Sequence, residues 1–274
     1  MNKNNLKIAI LSMYRNPQAQ ALIYLDALLK NESGKFRETE IHFRIFNTRY
    51  GNEMPVPEEF DAFISTGGPG NPHDGSGSDW EKNYFRFLDQ MMKQDFKDGR
   101  KKFHFSICHS FQLLCIHFGI ASVKKRSGET RMGLFFCRHT DEGSNDPLFG
   151  PLPNPHLIVE NRNWQCIAPD ENRIKDLGIR VLSRESEDPQ SALLALRISP
   201  YWVATQYHPE TEPEAMKALF HTHAKKEEVV SGYGQKKWEE IIRLLDEKQP
   251  SLQNTYQQLI PDFLHSAIQW NSEN

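Results

Sequence analysis

The sequence predicts an α/β fold: a doubly wound, mostly parallel sheet with helices on both faces, carrying added β-hairpins and a helical C-terminal extension. Three observations predict it. Short apolar runs alternate with helical patterns through the first half of the chain. Residues 131–207 change to brief β-like runs separated by turn residues. Beyond Glu210 the apolar spacing becomes helical.

Each element has its own signal. Residues 6–12 hold the unbroken apolar run Ile8, Ala9, Ile10 and Leu11, typical of a strand buried on both faces. Pro17 suits a first helical turn, and Ala21, Leu22, Leu25, Leu28 and Leu29 then recur at steps of three and four before Gly34 interrupts. Residues 41–46, 60–65 and 103–107 read as three further strands. Between the last two, Ser78 and Glu81 form a capping-box pattern for a helix whose apolar face is Trp80, Tyr84, Phe85, Leu88, Met91 and Met92. The stretch 74–79 is read as the entry to that helix rather than a mobile loop. Residues 132–137, 157–159, 179–182 and 192–198 are expected as hairpins added to the sheet, followed by helices over 213–224, 236–247 and 254–270. We divide the chain into one domain, 1–224, and an extension, 225–274, packed on the same domain. The stripe Leu259, Ile260, Phe263, Leu264 and Ile268 is read as a buttress rather than a dimer contact or lid.

Composition excludes several classes. The longest apolar runs in the 274 residues fall well short of the roughly 20 needed to cross a bilayer, so no membrane partner is expected. The polar opening, residues 1–5, precedes apolar residues 8–11 only, too few for a signal-peptide core, which predicts a cytoplasmic protein. With 33 basic against 36 acidic side chains there is no overall pull toward nucleic acid, and the runs Lys124-Lys125-Arg126 and Lys225-Lys226 read as solvated turns and helix ends. Cys108, Cys115, Cys137 and Cys166 lack C-x-x-C spacing, and His221 and His223 sit two apart on a predicted helix, so no metal is expected. No phosphate-cradling G-x-x-x-x-G-K-[ST] or Ser-Gly-Gly-x-Asp-Ser loop is present, and no cofactor is expected.

Three segments carry chemistry. Cys108 stands where a predicted strand meets a helix bearing Phe111, Leu114, Cys115 and Phe118 and closed by Gly119. Such a turn projects its side chain above the sheet edge, while the helix start supplies N–H donors and a positive dipole end that favour a thiolate. Taken alone, a lone cysteine among apolar residues is a small buried hydrophobe. His208-Pro209-Glu210 ends a second strand-like run and offers an imidazole and a carboxylate two residues apart. A thiol with pKa near 8.5 is only a few per cent ionised at neutral pH, and a histidine held by a carboxylate is the usual remedy. Ser65-Thr66-Gly67-Gly68-Pro69-Gly70 ends a third strand, and its paired glycines free backbone N–H groups to face a site. All three lie at carboxyl ends of predicted strands, the edge where open α/β sheets build their sites.

With these residues in view, the chain resembles the class I glutamine amidotransferases over residues 6–224. That family places its cysteine in a G-x-C-x-G-x-Q turn, followed by a His-Pro-Glu and preceded by a Gly-Gly-Pro loop, and the order here matches. Asp146-Pro-Leu-Phe and Gln206-Tyr207 are similar too, and the stand-alone GMP-synthase-like proteins and γ-glutamyl peptidases look nearest. The resemblance implies a flavodoxin-like sheet, with Cys108 as nucleophile, His208 as base and Glu210 as its orienter. It also implies an oxyanion hole from the N–H groups of Gly68 and His109, with Gly67 and Gln112 placing the substrate. Attack on a glutamine-type carbonyl, release of ammonia or an amine, and hydrolysis of a thioester would follow. The partners implied are glutamine or a γ-glutamyl compound and an ammonia-accepting synthetase.

The chain departs from the family in three places. Ser106 and Ser110 replace the glycines flanking the nucleophile, which narrows that turn and directs Ser110 toward substrate space. The GMP-synthase-like group carries a His-Trp-His-Gly-Asp-like stretch where this chain has residues 159–164, so Arg162 is either a contact for an acidic substrate group or a solvated arginine. A catalytically inactive binding or regulatory module on the same fold is the alternative function that the two serines motivate.

Overall fold

The computed structural model describes residues 4–35, 39–128 and 130–273; residues 1–3 of the polar opening lie outside it. The chain runs β1 (Asn4–Leu11), α1 (Gln20–Lys35), β2 (Thr39–Phe46), α2 (Thr48–Gly51), β3 (Ala62–Ser65), α3 (Asp79–Lys93), β4 (Phe103–Ile107) and α4 (His109–Phe118). The middle supplies β5 (Ala121–Lys125), β6 (Arg131–His139), α5 (Asp141–Ser144), β7 (His156–Arg162), β8 (Trp164–Pro169), α6 (Glu171–Asp176), β9 (Arg180–Arg184), β10 (Leu193–Ser199) and β11 (Trp202–Thr205). Three helices close it: α7 (Pro213–Phe220), α8 (His223–Tyr233) and α9 (Gln235–Glu273).

The main sheet has the order β2-β1-β3-β4-β11-β10-β9-β6-β7. Its first five strands are mutually parallel, so their carboxyl ends share one edge. The remaining four are antiparallel additions, and β5 pairs with β8 in a separate ribbon. The period of two along β1 divides the core: Ile8 and Ile10 face α1 and the second half of α9, while Ala9 and Leu11 face α3 and α4. A third cluster fills the space between the β6–β7 hairpin and α7, α8 and the first half of α9.

Three local expectations are corrected. Ser78 is the N-cap residue of α3, but its hydroxyl donates to the Gly75 carbonyl (2.6 Å), and Glu81 accepts from the Gly77 amide (2.8 Å) rather than from Ser78. The tail forms one helix through Pro250 and Pro261 in place of two. An internal proline costs about 3 kcal/mol. Leu245, Leu252, Leu259 and Leu264 around it are fully buried, and each contributes about 1.5–3 kcal/mol, which outweighs the breaker. The helix expected over 213–224 ends at Phe220, and α8 is a separate helix because Thr222 accepts from the Lys225 amide and caps a new start.

Candidate active site

Cys108 occupies the step between β4 and α4 with φ 50° and ψ −96°, a conformation no helix or strand residue adopts. The backbone is held there from both sides. Its amide donates to the Thr205 carbonyl of β11 (2.8 Å), and its carbonyl accepts from the Gln112 amide (3.0 Å) as the first bond of the helix. The N–H groups of His109, Ser110 and Phe111 precede that bond and are the donors of the helix start. The cysteine is 5% exposed and lines a cavity of about 500 Å³ with Gly68, Gln112, Asn161 and His208.

β11 runs parallel to β4, so the chain leaving its carboxyl end brings His208 beside Cys108. A Cβ added to Gly67 would lie 2.8 Å from the His208 ring, 2.9 Å from the Tyr14 hydroxyl and 3.4 Å from Cys108 Cβ. Glycine is required there for space, since its φ is not positive. His208 is anchored twice: its amide donates to the Val159 carbonyl of β7 (2.9 Å), and Nδ1 meets Oε1 of buried Glu210 at 2.7 Å. Burial alone pulls the imidazole pKa down, but the Glu210 carboxylate, and after it the Cys108 sulfur, acting by charge and hydrogen bonding, hold it well above its ordinary value.

The glycine loop at the end of β3 is set by side chains that the sequence did not single out. Thr66 Oγ1 accepts from the Met13 amide (3.0 Å) and donates to the Gly67 carbonyl (2.8 Å). A peptide group is planar and trans, so fixing the Gly67 carbonyl also fixes the direction of the Gly68 N–H. Gly68 packs against the Met13 backbone, where a Cβ would come within 2.7 Å. Arg49 donates to the Pro69 carbonyl (2.6 Å) and secures the outer side of the loop.

Both serines of the turn point into packing. Ser110 Oγ donates to the Thr66 carbonyl (2.6 Å) and ties the helix start to the glycine loop, so it does not reach into the cavity. Ser106 Oγ accepts from the Trp202 indole (3.0 Å) beside His104. Gln112 Nε2 donates to Trp164 O and Gln206 Oε1 at the cavity wall, and Gln206 Nε2 lies 3.7 Å from Cys108 Sγ.

Arg162 is not a solvated arginine: it lines the cavity that holds Cys108. It is 3% exposed, and with Arg126 and Arg131 it pairs with Glu160 and Glu185 in a five-member ion network. The Lys124-Lys125-Arg126 run likewise places Lys125 on the cavity wall and Arg126 in that network. His221 follows α7 and His223 begins α8, each beside a different acidic residue. Among the described residues no group of three or more His, Cys, Asp or Glu is arranged to hold a metal, and no helix is long and apolar enough to cross a membrane. Tyr14, which lines the cavity from just beyond β1, had one available signal: it follows the same strand edge as the other site residues.

A sequence model of the family described as "Glutamine amidotransferase class-I" matches residues 24–225, and the chain belongs to that family. Solved structures share the fold. A glutamine amidotransferase from Thermotoga maritima superposes with TM-score 0.65 at 16% identity, covering 96% of this chain and 98% of that one. A glutamine amido transferase from Methylobacillus flagellatus gives 0.64 at 15%, covering 97% and 95%. A putative GMP synthase protein from Thermoplasma acidophilum gives 0.51 at 17%, covering 89% and 96%. No curated protein matches the sequence significantly.

Proposed function

We propose that the chain hydrolyses a γ-glutamyl amide through a thioester on Cys108. The observation that carries the reading is the chain of contacts at one point: Cys108 on a strained strand-to-helix turn, beside an imidazole whose Nδ1 is held at 2.7 Å by the buried Glu210. The thiolate attacks the δ-carbonyl carbon, and the C–S bond forms as the carbonyl electrons move to oxygen. The N–H groups of Gly68 and His109 receive that oxyanion, each donor lowering the barrier by about 3 kcal/mol. His208 passes its proton to the leaving nitrogen as the C–N bond breaks. It then takes a proton from water, whose oxygen attacks the thioester and releases glutamate and the thiolate. Gln112 and Gly67 shape the acyl side, Gln112 by lining the wall and Gly67 by leaving room for sulfur and ring.

The alternative of an inactive module rests on Ser106 and Ser110, and their hydroxyls are engaged away from the cavity, which supports turnover. Ammonia delivery to a partner synthetase belongs to this reading when glutamine is the substrate. A glutamine-like electrophile should modify Cys108 stoichiometrically and abolish glutamate release, as should Cys108→Ala. The other thiols are poor competitors: burial pushes Cys137 up to about 12 and raises Cys115 well above its usual value, and Cys166 is wholly buried. Undiminished glutamate release by Cys108→Ala sinks the proposal.

A further inference from the structure

A second cavity, of about 240 Å³, adjoins the one holding Cys108 at His208. Tyr14, Asn161 and His208 line both cavities. The second cavity is walled mainly by apolar side chains: Tyr24 and Ala21 of α1, Met132 and Val159 of the β6–β7 hairpin, and Met216 and Phe220 of α7. Its charged members are already engaged. Glu160 is bonded by Arg131 and Arg162, Lys225 by Glu228 (2.7 Å), and Glu210 through Oε1 by His208.

The direction of the chemistry says what this space receives. The nitrogen that leaves must come within hydrogen-bond reach of the imidazole that protonates it. Any group attached to that nitrogen continues past His208, away from the acyl half in the first cavity. Ammonia carries no such group and needs no more than a water's share of volume, about 30 Å³, so glutamine leaves this cavity unused. A carboxylate-bearing amine, as in a γ-glutamyl peptide, finds no unengaged cation there.

We propose that this cavity is a leaving-amine subsite and that the preferred substrates are γ-glutamyl amides of an apolar alkyl or arylalkyl amine. Glu210 lines this cavity, and its Oε2, a buried oxygen with no hydrogen-bond partner among the described residues, is an acceptor left over for an N–H or O–H of the bound amine. The inference rests on the γ-glutamyl amide reading above and names its substrate class.

The test is glutamate release by the full chain from glutamine, γ-glutamyl methylamide, γ-glutamyl n-butylamide, γ-glutamyl benzylamide and γ-glutamylglycine. Each methylene buried in the cavity should raise kcat/KM about fourfold, so the butylamide exceeds glutamine by at least tenfold while γ-glutamylglycine does not. Ala21→Phe and Met216→Trp, which fill the cavity, should bring the butylamide-to-glutamine ratio back toward one. The ratio within a single variant is the readout, so loss of folded protein cannot imitate the effect. A kcat/KM that is flat or falls along the series, with glutamine cleaved, overturns the subsite and leaves the hydrolase reading intact. No glutamate from any member, with Cys108 unmodified by a glutamine-like electrophile, overturns both.

Discussion

At Cys108 the backbone is held in the positive-φ region by bonds on both sides, a strain of order 1–3 kcal/mol that a cysteine with only a packing role has no reason to carry. Its neighbours supply the rest. The Glu210 carboxylate raises the pKa of an imidazole that burial by itself would lower. Glu210→Gln removes the charge while keeping the shape, so the His208 titration, followed by NMR of the ring, should move to lower pH. The kcat for glutamate release should drop on the order of 10²-fold, the scale of general acid–base catalysis. An unmoved titration would show that Glu210 is not what holds the proton. Of this site, Cys108, His208, Glu210 and the paired glycines were legible as residue types at strand ends. Thr66, Tyr14 and Asn161 were not, because a threonine, a tyrosine and an asparagine near a strand end carry no chemical signature until their neighbours are known.

Among the elements, the glycine loop after β3 and the start of α4 behave as one unit. Thr66 is bonded through its hydroxyl to both Met13 and Gly67, and through its carbonyl to Ser110. Thr66→Val strips the two hydroxyl bonds in a site that is 1% exposed, leaving a buried amide and a buried carbonyl unpaired. We expect a loss of about 1–3 kcal/mol in urea unfolding for each group left unsatisfied. We also expect kcat to fall on the order of 10²-fold, since the Gly68 N–H loses its fixed direction. Loss of stability with unchanged kcat would separate the loop's packing role from its chemical one. Most strands were readable because β1, β3 and β4 are buried on both faces and so need continuous apolar runs. The course of α9 was not, since local rules stop a helix at Pro250 and only the surface it covers makes the continuous form favourable.

For the whole molecule, a pH dependence is expected from its buried histidines. Burial pushes His104, His109 and His156 down to about 3, with Arg49 adding to the effect at His109 and His139 at His156. The unfolded chain binds protons at these sites first, near the ordinary value of about 6.5. Stability should therefore fall as pH drops below about 6.5 and keep falling toward 3, by up to about 1.4 kcal/mol per pH unit for each group. His208 has the opposite sign: its raised pKa contributes stability that is complete below about 6.5 and lost as pH rises through its folded value. The urea midpoint should be clearly lower at pH 5.5 than at pH 7; equal midpoints would mean that these three rings are not neutral in a closed core.

Local order was within reach of the sequence alone: the alternation of strands and helices, the residues able to do acyl-transfer chemistry, and their place at strand ends all depend on side-chain type and short-range spacing. Tertiary structure decided what depends on distance between remote segments. It turned the flanking serines into packing, drew Arg162 into an ion network, set a tyrosine from beyond β1 in the same cavity as the imidazole, and opened a second cavity that both line. Hydrogen bonds and burial act only over a few ångströms, and which groups come that close is settled by the sheet order, where strands adjacent in space lie up to about 100 residues apart in sequence.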